Sequence, residues 1–362
     1  MYSPVLGTLC WLVLLAQSSA QQNTTRFYKD KADLLYYLND QSEPVRIHDQ
    51  DGWSRRRQHI LQNMQIVMGP LRASKNQVSA AMRVESETVL DKIIRKKISF
   101  AVEDGDRLTA WLLVPRSITA QARNCYPAAL CLHQTTAIGK NEPAGLGGKK
   151  NLAYALELAE QGYVTFAPDY PNFGDYKIDV YRQGYQSATM KGIWNHMRAI
   201  DILCSLPFVD SKRIACVGHS LGGHNALFLA AFDERVHAVI TSCGFTSFPK
   251  YYGGNLKGWS HPGYMPRIAT IYHCDPVQMP FDFPEILGAI APRPLFINAP
   301  LRDANFDVSG VRDCVASATP IYKLYGAEKN LMVAHPAADH DFPTQVCRQA
   351  YDFLARMMPS QK

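Results

Sequence analysis

Gly218-His219-Ser220-Leu221-Gly222 stands where an apolar run, residues 213–217, gives way to a segment with helical spacing, residues 224–231. A strand that ends in Gly-x-Ser-x-Gly and turns at once into a helix forms a tight bend that leaves the serine hydroxyl exposed. The bend also places the serine at a helix N-terminus, where free N–H groups and the dipole stabilise negative charge. An ordinary serine in a glycine-rich turn is the alternative, but the flanking elements favour Ser220 as a nucleophile.

Apolar runs and helical segments alternate on both sides of this bend. A hairpin is predicted first, because apolar residues occur at every second position in 98–102 and 108–112. Strict alternation of strand and helix implies a mostly parallel sheet with helices on both faces. We therefore predict an α/β fold over residues 93–362, with these further strands: 128–132, 163–167, 214–217, 238–241, 295–298 and 331–334. The predicted helices are 152–161, 190–205, one from 220, one from about 308 and 343–357.

Two segments stand apart from this alternation. Residues 21–92 are predicted to be an N-terminal helical extension, with helices over 31–39 and 53–68. Residues 245–290 are rich in aromatic residues, Gly and Pro and interrupt the alternation. An insertion there lies over the carboxyl ends of the strands, where open α/β sheets bind ligands, so we expect it to form a wall of the substrate pocket.

The first 20 residues have the character of a cleaved signal peptide. They contain no Asp, Glu, Lys or Arg, and a short apolar run precedes Ser18-Ser19-Ala20. A membrane anchor needs about 18 or more apolar residues, so this run is too short to span stably. We expect a protein that is secreted or lies in the lumen of the secretory pathway, with Asn23 in a glycosylation sequon.

Charge and cysteine content exclude some functions. The net charge of +6 is scattered, and the continuous basic stripe that nucleic-acid binding needs is missing. No CxxC or HExxH pattern is present, so neither a metal nor another cofactor is expected. Of the nine cysteines, Cys10 lies in the leader, and the remaining eight divide into two groups. Those in core elements are expected to be free, and those better placed for disulfides are Cys125, Cys274, Cys314 and Cys347.

A serine nucleophile needs an imidazole to take its proton and a carboxylate to hold that imidazole. After a strand-to-helix bend of this type, the three residues follow one another in the chain in the order Ser, acid, His. The loop after strand 295–298 holds Asp303 and Asp307, and Asp303 is favoured because it lies nearer the strand end. The loop after strand 331–334 holds His335 and His340. We favour His340, which lies just before the final helix, as the base.

The negative oxygen formed during attack on a carbonyl also needs hydrogen-bond donors. One is expected to be the backbone N–H of Leu221, which follows the nucleophile. The second is expected from the loop after strand 128–132, where Gln134 is favoured over Thr135.

Five short motifs lie near the ends of the predicted strands: Leu132-His133-Gln134-Thr135, Ala167-Pro168-Asp169-Tyr170, Gly218-His219-Ser220-Leu221-Gly222-Gly223, Ala291-Pro292-Arg293-Pro294 and His340-Asp341-Phe342-Pro343. With them, residues 93–362 resemble the α/β-hydrolase superfamily, in particular its dienelactone hydrolase and acetyl-xylan esterase-like branch. The resemblance implies a serine hydrolase of esters with Ser220, Asp303 and His340 as its triad. The chain departs from that branch in two ways: His133-Gln134 replaces the usual His-Gly, and serine replaces the cysteine of dienelactone hydrolases.

The expected function is therefore a secreted carboxylic-ester hydrolase that works through an acyl-enzyme intermediate. Its expected substrate is a small-molecule or carbohydrate ester. A serine peptidase or thioesterase would use the same catalytic groups, because the pocket and not the triad selects the leaving group. A non-catalytic binding protein on the same scaffold is the third alternative.

Overall fold

The computed structural model describes residues 26–72, 78–119, 122–123 and 125–359. The predicted signal peptide and Asn23 lie outside the described residues. The strands are β1 (Tyr36–Leu38), β2 (Pro44–Arg46), β3 (Arg83–Val89), β4 (Ile93–Glu103), β5 (Asp106–Pro115), β6 (Tyr126–Leu132), β7 (Val164–Pro168), β8 (Val209–His219), β9 (Ala238–Ser242), β10 (Leu295–Asn298) and β11 (Leu331–Ala334). The helices are α1 (Gln50–Met68), α2 (Tyr154–Glu160), α3 (Ala188–Ser205), α4 (Leu221–Phe232), α5 (Arg267–Thr270), α6 (Phe283–Ile290), α7 (Val308–Leu324) and α8 (Thr344–Met357).

Nine strands form one sheet in the order β11-β10-β9-β8-β6-β7-β5-β4-β3. The six strands from β11 to β7 run parallel to one another. The other three, β5, β4 and β3, are antiparallel to their neighbours. The prediction of an α/β fold with a mostly parallel sheet is confirmed, and so is the predicted hairpin, which forms β4 and β5.

The two faces of the sheet carry separate hydrophobic cores. Successive residues of a strand point to opposite faces, and in β6 Leu130 packs into one core while Cys131 packs into the other. The larger core is formed with α1, α3, α4, α6 and α7. The smaller core is formed with α2 and α8. Helices therefore cover both faces, and the strand ends remain available for a site.

The N-terminal extension is less helical than predicted. Only α1 matches the expected helix over 53–68, and residues 31–39 contain the short strand β1 instead of a helix. The Asp30 side chain accepts hydrogen bonds from the amides of Ala32 and Asp33, and such local bonds compete with helix formation. The prediction is also wrong for residues 83–89, because β3 adds an edge strand to the main sheet.

All eight cysteines in the described part of the chain are free. Cys131, Cys216 and Cys243, which the sequence places in or at the ends of core strands, are buried and free as expected. The expectation of disulfides among the other group is wrong in this structure, since these cysteines are unpaired: Cys125, Cys274, Cys314 and Cys347. Within the described residues, no helix has the length and apolarity needed to cross a membrane.

Candidate active site

Ser220 occupies the sharp turn between β8 and α4. Its backbone has φ 54° and ψ −116°, a region that non-glycine residues rarely adopt. The Ser220 N–H donates to the carbonyl of Ser242 over 2.8 Å, which ties the turn to the end of β9. The structure thus has the strained strand-to-helix bend that the Gly-x-Ser-x-Gly pattern predicts.

Both glycines of the pattern are required by close backbone approach. A Cβ atom on Gly218 would lie 2.1 Å from the carbonyl oxygen of Gly222. A Cβ on Gly222 would lie 1.9 Å from the carbonyl oxygen of Leu132, at the end of β6. These distances are far shorter than any van der Waals contact, so only glycine lets α4 start this close to the sheet.

Asp303 and His340 form a hydrogen-bonded pair although they lie on different loops. The Nδ1 atom of His340 lies 2.9 Å from both carboxylate oxygens of Asp303. The Oδ1 atom of Asp303 also accepts from the amides of Asn305, at 2.9 Å, and Phe306, at 3.1 Å. These bonds fix the carboxylate in place. The other ring nitrogen of His340, Nε2, makes no hydrogen bond to Asp303.

The environment of Asp303 keeps its carboxylate charged. Burial alone would raise its pKa, because only 1% of the side chain is exposed. The hydrogen bond and charge of His340 act in the opposite direction, together with the two backbone amides, and the net effect is a lowered pKa. An ionised Asp303 can therefore accept a hydrogen bond from the Nδ1–H of His340 and stabilise the imidazolium that forms when Nε2 takes a second proton.

His340 lies beside the bend that carries Ser220. The ring centroids of His340 and His219, the residue before Ser220, are 5.0 Å apart. Phe306 lies 5.9 Å from the His340 ring and also lines the pocket around Ser220. Among the described residues, no hydrogen bond joins the Ser220 hydroxyl to His340. Such bonds are often long in unliganded enzymes and shorten when substrate binds.

The two side chains that were weighed against Asp303 and His340 have other partners. Asp307 is the N-cap of α7 and accepts from the Ser309 amide over 2.7 Å. His335 Nδ1 donates to the carbonyl of Ala299 over 2.8 Å.

The loop after β6 presents Thr135 to the pocket. Thr135 lines the pocket with Ser220 and Leu221, whose N–H is the first of α4 and has no acceptor within the helix. The Gln134 side chain instead donates to Glu142 over 3.0 Å. The side-chain amide of Gln134 is therefore engaged elsewhere, and any hydrogen bond from Gln134 to a substrate oxygen must come from its backbone N–H.

His133 fixes that loop through both of its ring nitrogens. Its Nδ1 donates to the Gln134 carbonyl over 2.6 Å, and its Nε2 accepts from the Tyr170 amide over 2.9 Å. Burial lowers the pKa of His133, which favours the neutral ring that these two bonds require. His133 thus links the loop after β6 to the end of β7. The departure from the usual His-Gly pattern is at the next residue, Gln134.

The pocket around Ser220 is small, at about 80 Å³. Its lining residues are Thr135, Ser220, Leu221, His224, Tyr251, Gly258, Trp259, Tyr264, Asn305 and Phe306. Four of them belong to residues 245–290, the segment that the sequence predicts as a pocket wall.

Larger clefts adjoin this pocket on two sides. A cleft of about 690 Å³ shares Thr135 and Tyr264 with it and includes the aromatic rings of Phe173 and Tyr181. A second cleft, of about 400 Å³, shares Asn305 with it. The geometry therefore offers a narrow site for one part of a substrate and open space for the other.

Three further residues near the site are not predicted from the sequence to be catalytic. His224 and Trp259 line the pocket, and Trp259 lies in the segment that the sequence predicts as a pocket wall. Cys243 follows β9, and its Sγ lies with ligand atoms of Asp303 and His340 in a group that spans no more than 4.8 Å. These atoms could approach a metal ion, but Cys243 already donates to the Asp341 carbonyl and the other two bind each other.

Known proteins are similar to this chain in sequence or in fold. The Prolyl oligopeptidase family matches residues 151–359. Dipeptidyl-peptidase 5 of Porphyromonas gingivalis is 27% identical over 200 residues, which cover 51% of this chain and only 27% of that protein.

Two solved structures illustrate the fold. A glucuronoyl esterase from Solibacter usitatus superposes with a TM-score of 0.66 and 18% identity, covering 91% of this chain and 98% of the esterase. An acetyl xylan esterase from Paenibacillus sp. R4 gives a TM-score of 0.56 and 18% identity, with 82% and 99% covered.

The resemblance to the α/β-hydrolase superfamily is confirmed by these matches, and the fold is that of serine-hydrolase-type esterases. The family match begins before β7 and includes the bend at Ser220 and the loops that carry Asp303 and His340. It extends over more than half of the sequence, and so the chain belongs to the prolyl oligopeptidase family.

Proposed function

We propose that this protein is a serine esterase that hydrolyses carboxylic esters through an acyl-enzyme intermediate. The observation that carries the proposal is the hydrogen-bonded pair of Asp303 and His340 beside the strained turn of Ser220. A charged carboxylate bonded to an imidazole, together with a serine hydroxyl in the adjoining pocket, supplies the groups that general-base activation of a serine needs.

In the first half of the reaction, Ser220 attacks the ester. Its Oγ forms a bond to the carbonyl carbon while its proton passes to Nε2 of His340. The bond from that carbon to the alcohol oxygen then breaks, and the same proton passes from His340 to the departing alcohol. Asp303 holds Nδ1 throughout, which fixes the tautomer and stabilises the transient imidazolium.

In the second half, water replaces the alcohol. Its oxygen bonds to the acyl carbon while His340 takes one of its protons. The bond between the acyl carbon and the Ser220 Oγ breaks, the serine regains a proton from His340, and the carboxylic acid leaves. No cofactor or metal is needed for this cycle.

The negative oxygen of each tetrahedral intermediate would be bound by backbone amides. The Leu221 N–H at the start of α4 is the first donor, and an amide of the Gln134-Thr135 loop is the second. The location of Thr135 in the pocket supports this loop as the source. The hydrogen bonds of His133 support it further, because a donor contributes most when it is held in place before the reaction.

The pocket favours an ester over a peptide with a free amino terminus. A charged amino group needs carboxylates for its recognition, and the described residues that line the Ser220 pocket contain no charged side chain. The aromatic cleft next to Thr135 offers Phe173 and Tyr181 as flat apolar surfaces for the alcohol part of a small-molecule or carbohydrate ester.

The proposal also includes the localisation of the protein. We place it outside the cell or in the secretory lumen, with residues 1–20 removed and Asn23 glycosylated. The support is the uncharged apolar leader and the sequon that follows it.

Turnover of matched substrates tests the proposed activity. We expect the full-length mature protein to hydrolyse p-nitrophenyl acetate and to leave peptide p-nitroanilides and thioesters nearly untouched. Ser220→Ala should abolish ester turnover. Ser205→Ala is the control, because the Ser205 hydroxyl bonds the Ile202 carbonyl at the end of α3, away from the site. Faster cleavage of anilides or thioesters than of esters would contradict the proposal.

A further inference from the structure

The side chain of Gln134 has a buried carboxylate as its partner. Gln134 replaces the glycine that is usual at this position, so the loop after β6 carries a side chain there. Its Nε2 donates to Oε1 of Glu142 over 3.0 Å. Glu142 is 2% exposed, and no Lys or Arg of the described residues forms an ion pair with it. A buried carboxylate without a cation is unfavourable, so its position beside this loop calls for an explanation.

Glu142 is held in place from its other side. The same Oε1 atom accepts from the Lys149 amide over 3.1 Å. Gly148 has φ 73°, and a Cβ atom on it would lie 2.3 Å from Oε1, so only glycine lets the chain approach the carboxylate this closely. A carboxylate can only accept hydrogen bonds, which means that the Gln134 side chain must turn its NH₂ group toward Glu142.

Two hydrogen bonds then fix the peptide group that joins Gln134 to Thr135. A peptide group is planar and trans, so its carbonyl and its N–H point in opposite directions. His133 Nδ1 holds the carbonyl of this group, and Glu142 holds the side chain of the residue from which the group starts. The Thr135 N–H donates to no acceptor among the described residues, and Thr135 lines the pocket around Ser220. A free donor is thus oriented before substrate binds.

The segment that begins with Glu142 also contacts the loop of the catalytic base. Asn151 Nδ2 donates to the Asp341 carboxylate and to the Phe342 carbonyl, over 2.9 Å in each case. Asp341 is the residue after His340. Residues 142–151 therefore connect the loop of the proposed oxyanion donor with the loop of His340.

We propose that Glu142 is a positioning residue of the esterase reaction: it holds the Gln134 side chain and so orients the Thr135 N–H toward the negative oxygen of the tetrahedral intermediate. Glu142 does not line the Ser220 pocket, so it acts through Gln134 and not on the substrate. This inference rests on the proposed esterase function and adds a residue to its binding of the transition state.

Replacements of Glu142 separate its hydrogen bonds from its charge. Glu142→Leu removes the acceptor and should lower kcat/KM for p-nitrophenyl acetate roughly 10- to 100-fold, since a donor that is present but misplaced is worth less than one held in place. Glu142→Gln should keep most of the rate, because both bonds fall on one oxygen and the carbonyl oxygen of Gln can accept both. Glu157→Leu is the control: Glu157 also accepts a side-chain hydrogen bond, from Tyr351, but on α2 facing α8.

A double variant shows whether Glu142 acts through Gln134. Gln134→Leu should lower kcat/KM about as much as Glu142→Leu does. The double variant should lose no more than either single variant, because each change removes the same hydrogen bond. Losses that multiply in the double variant would overturn the inference.

A transition-state analogue distinguishes positioning from a merely structural role. Trifluoroacetophenone forms an adduct with a nucleophilic serine that carries the same negative oxygen as the intermediate. Its Ki should rise in Glu142→Leu by the factor by which kcat/KM falls. The pH at which kcat/KM is half-maximal should not move, because His340 keeps its bond to Asp303. A Ki that stays constant while kcat/KM falls would contradict the proposal.

The possible failures are distinct. If the unaltered protein does not hydrolyse p-nitrophenyl acetate and Ser220 does not react with a fluorophosphonate probe, the proposed function itself fails. If the unaltered protein is active and both Glu142→Leu and Gln134→Leu keep its kcat/KM, only the inference is wrong. Thermal denaturation shows which variants are folded. Should Glu142→Leu fail to fold, Gln134→Leu decides alone, since Gln134 is a partly exposed loop residue.

Discussion

Replacement of Asp303 by Asn probes how the acid acts on His340. The Oδ1 atom of Asp303 accepts from the amides of Asn305 and Phe306. An Asn can keep both bonds through its own carbonyl oxygen, and this places its NH₂ group where Oδ2 faces His340. The NH₂ group can only donate, so Nδ1 must become an acceptor and Nε2 must carry the proton. The imidazole then has no free electron pair for the Ser220 proton.

The expected loss follows from this reversal of the tautomer. In a serine protease the equivalent replacement lowers kcat about 10⁴-fold, which corresponds to about 5.5 kcal/mol at the transition state. We expect a loss of the same order for Asp303→Asn in kcat for p-nitrophenyl acetate. Stability should change little, because the backbone hydrogen bonds survive.

Asp307→Asn is the matched control. Asp307 caps α7 through the Ser309 amide, and Asn caps helices about as well as Asp. Initial-rate kinetics with circular dichroism would show both variants folded and only Asp303→Asn impaired. An active Asp303→Asn together with an inactive Asp307→Asn would refute the assignment of the acid.

Three further predictions concern the bend, the insertion and the aromatic cleft. Gly222→Ala should destabilise the protein by more than the ~1–3 kcal/mol of ordinary overpacking, because its Cβ meets the Leu132 carbonyl at 1.9 Å; a Tm unchanged from that of the unaltered protein would contradict this. Burial raises the pKa of Asp282 to about 7 from an ordinary value of 3.8, so the folded state binds this proton more tightly and stability should fall as pH rises from about 4 to about 7. Asp282→Asn should lose that part of the slope in urea unfolding, and an unchanged slope would count against the burial argument. Tyr181→Ala should raise KM for esters of bulky alcohols and leave KM for methyl esters unchanged, because Tyr181 lines the aromatic cleft. An equal change in KM for both kinds of ester would show that the cleft does not bind the alcohol part.

The parts of the fold that sequence patterns predicted are those where burial dictates residue type. Strand β6 and helix α4 are mostly buried, so most of their residues are apolar or small, and the pattern is visible in the sequence. Strand β3 has all seven residues exposed, and neither face leaves a periodic signal. Its place at the sheet edge depends on pairing with β4, which local sequence does not specify.

The site shows the same division. Ser220 could be identified because the bend requires Gly218 and Gly222 next to it. The choice between Asp303 and Asp307 depends on which of them meets His340, and that requires the order of β10 and β11 in the sheet. The contacts of Cys243 with Asp303 and His340, and of Trp259 with His224, form only through packing of segments that are far apart in the chain, so no spacing in the sequence predicts them.

Covalent labelling is the most direct measurement of the central claim, that Ser220 is made nucleophilic by Asp303 and His340. The mature protein would be treated with a fluorophosphonate probe, and the modified residue would be located by mass spectrometry of its peptides. We predict a single adduct on Ser220, which is lost in His340→Ala while that variant stays folded. An adduct on another serine, or full labelling of Ser220 without His340, would contradict the account.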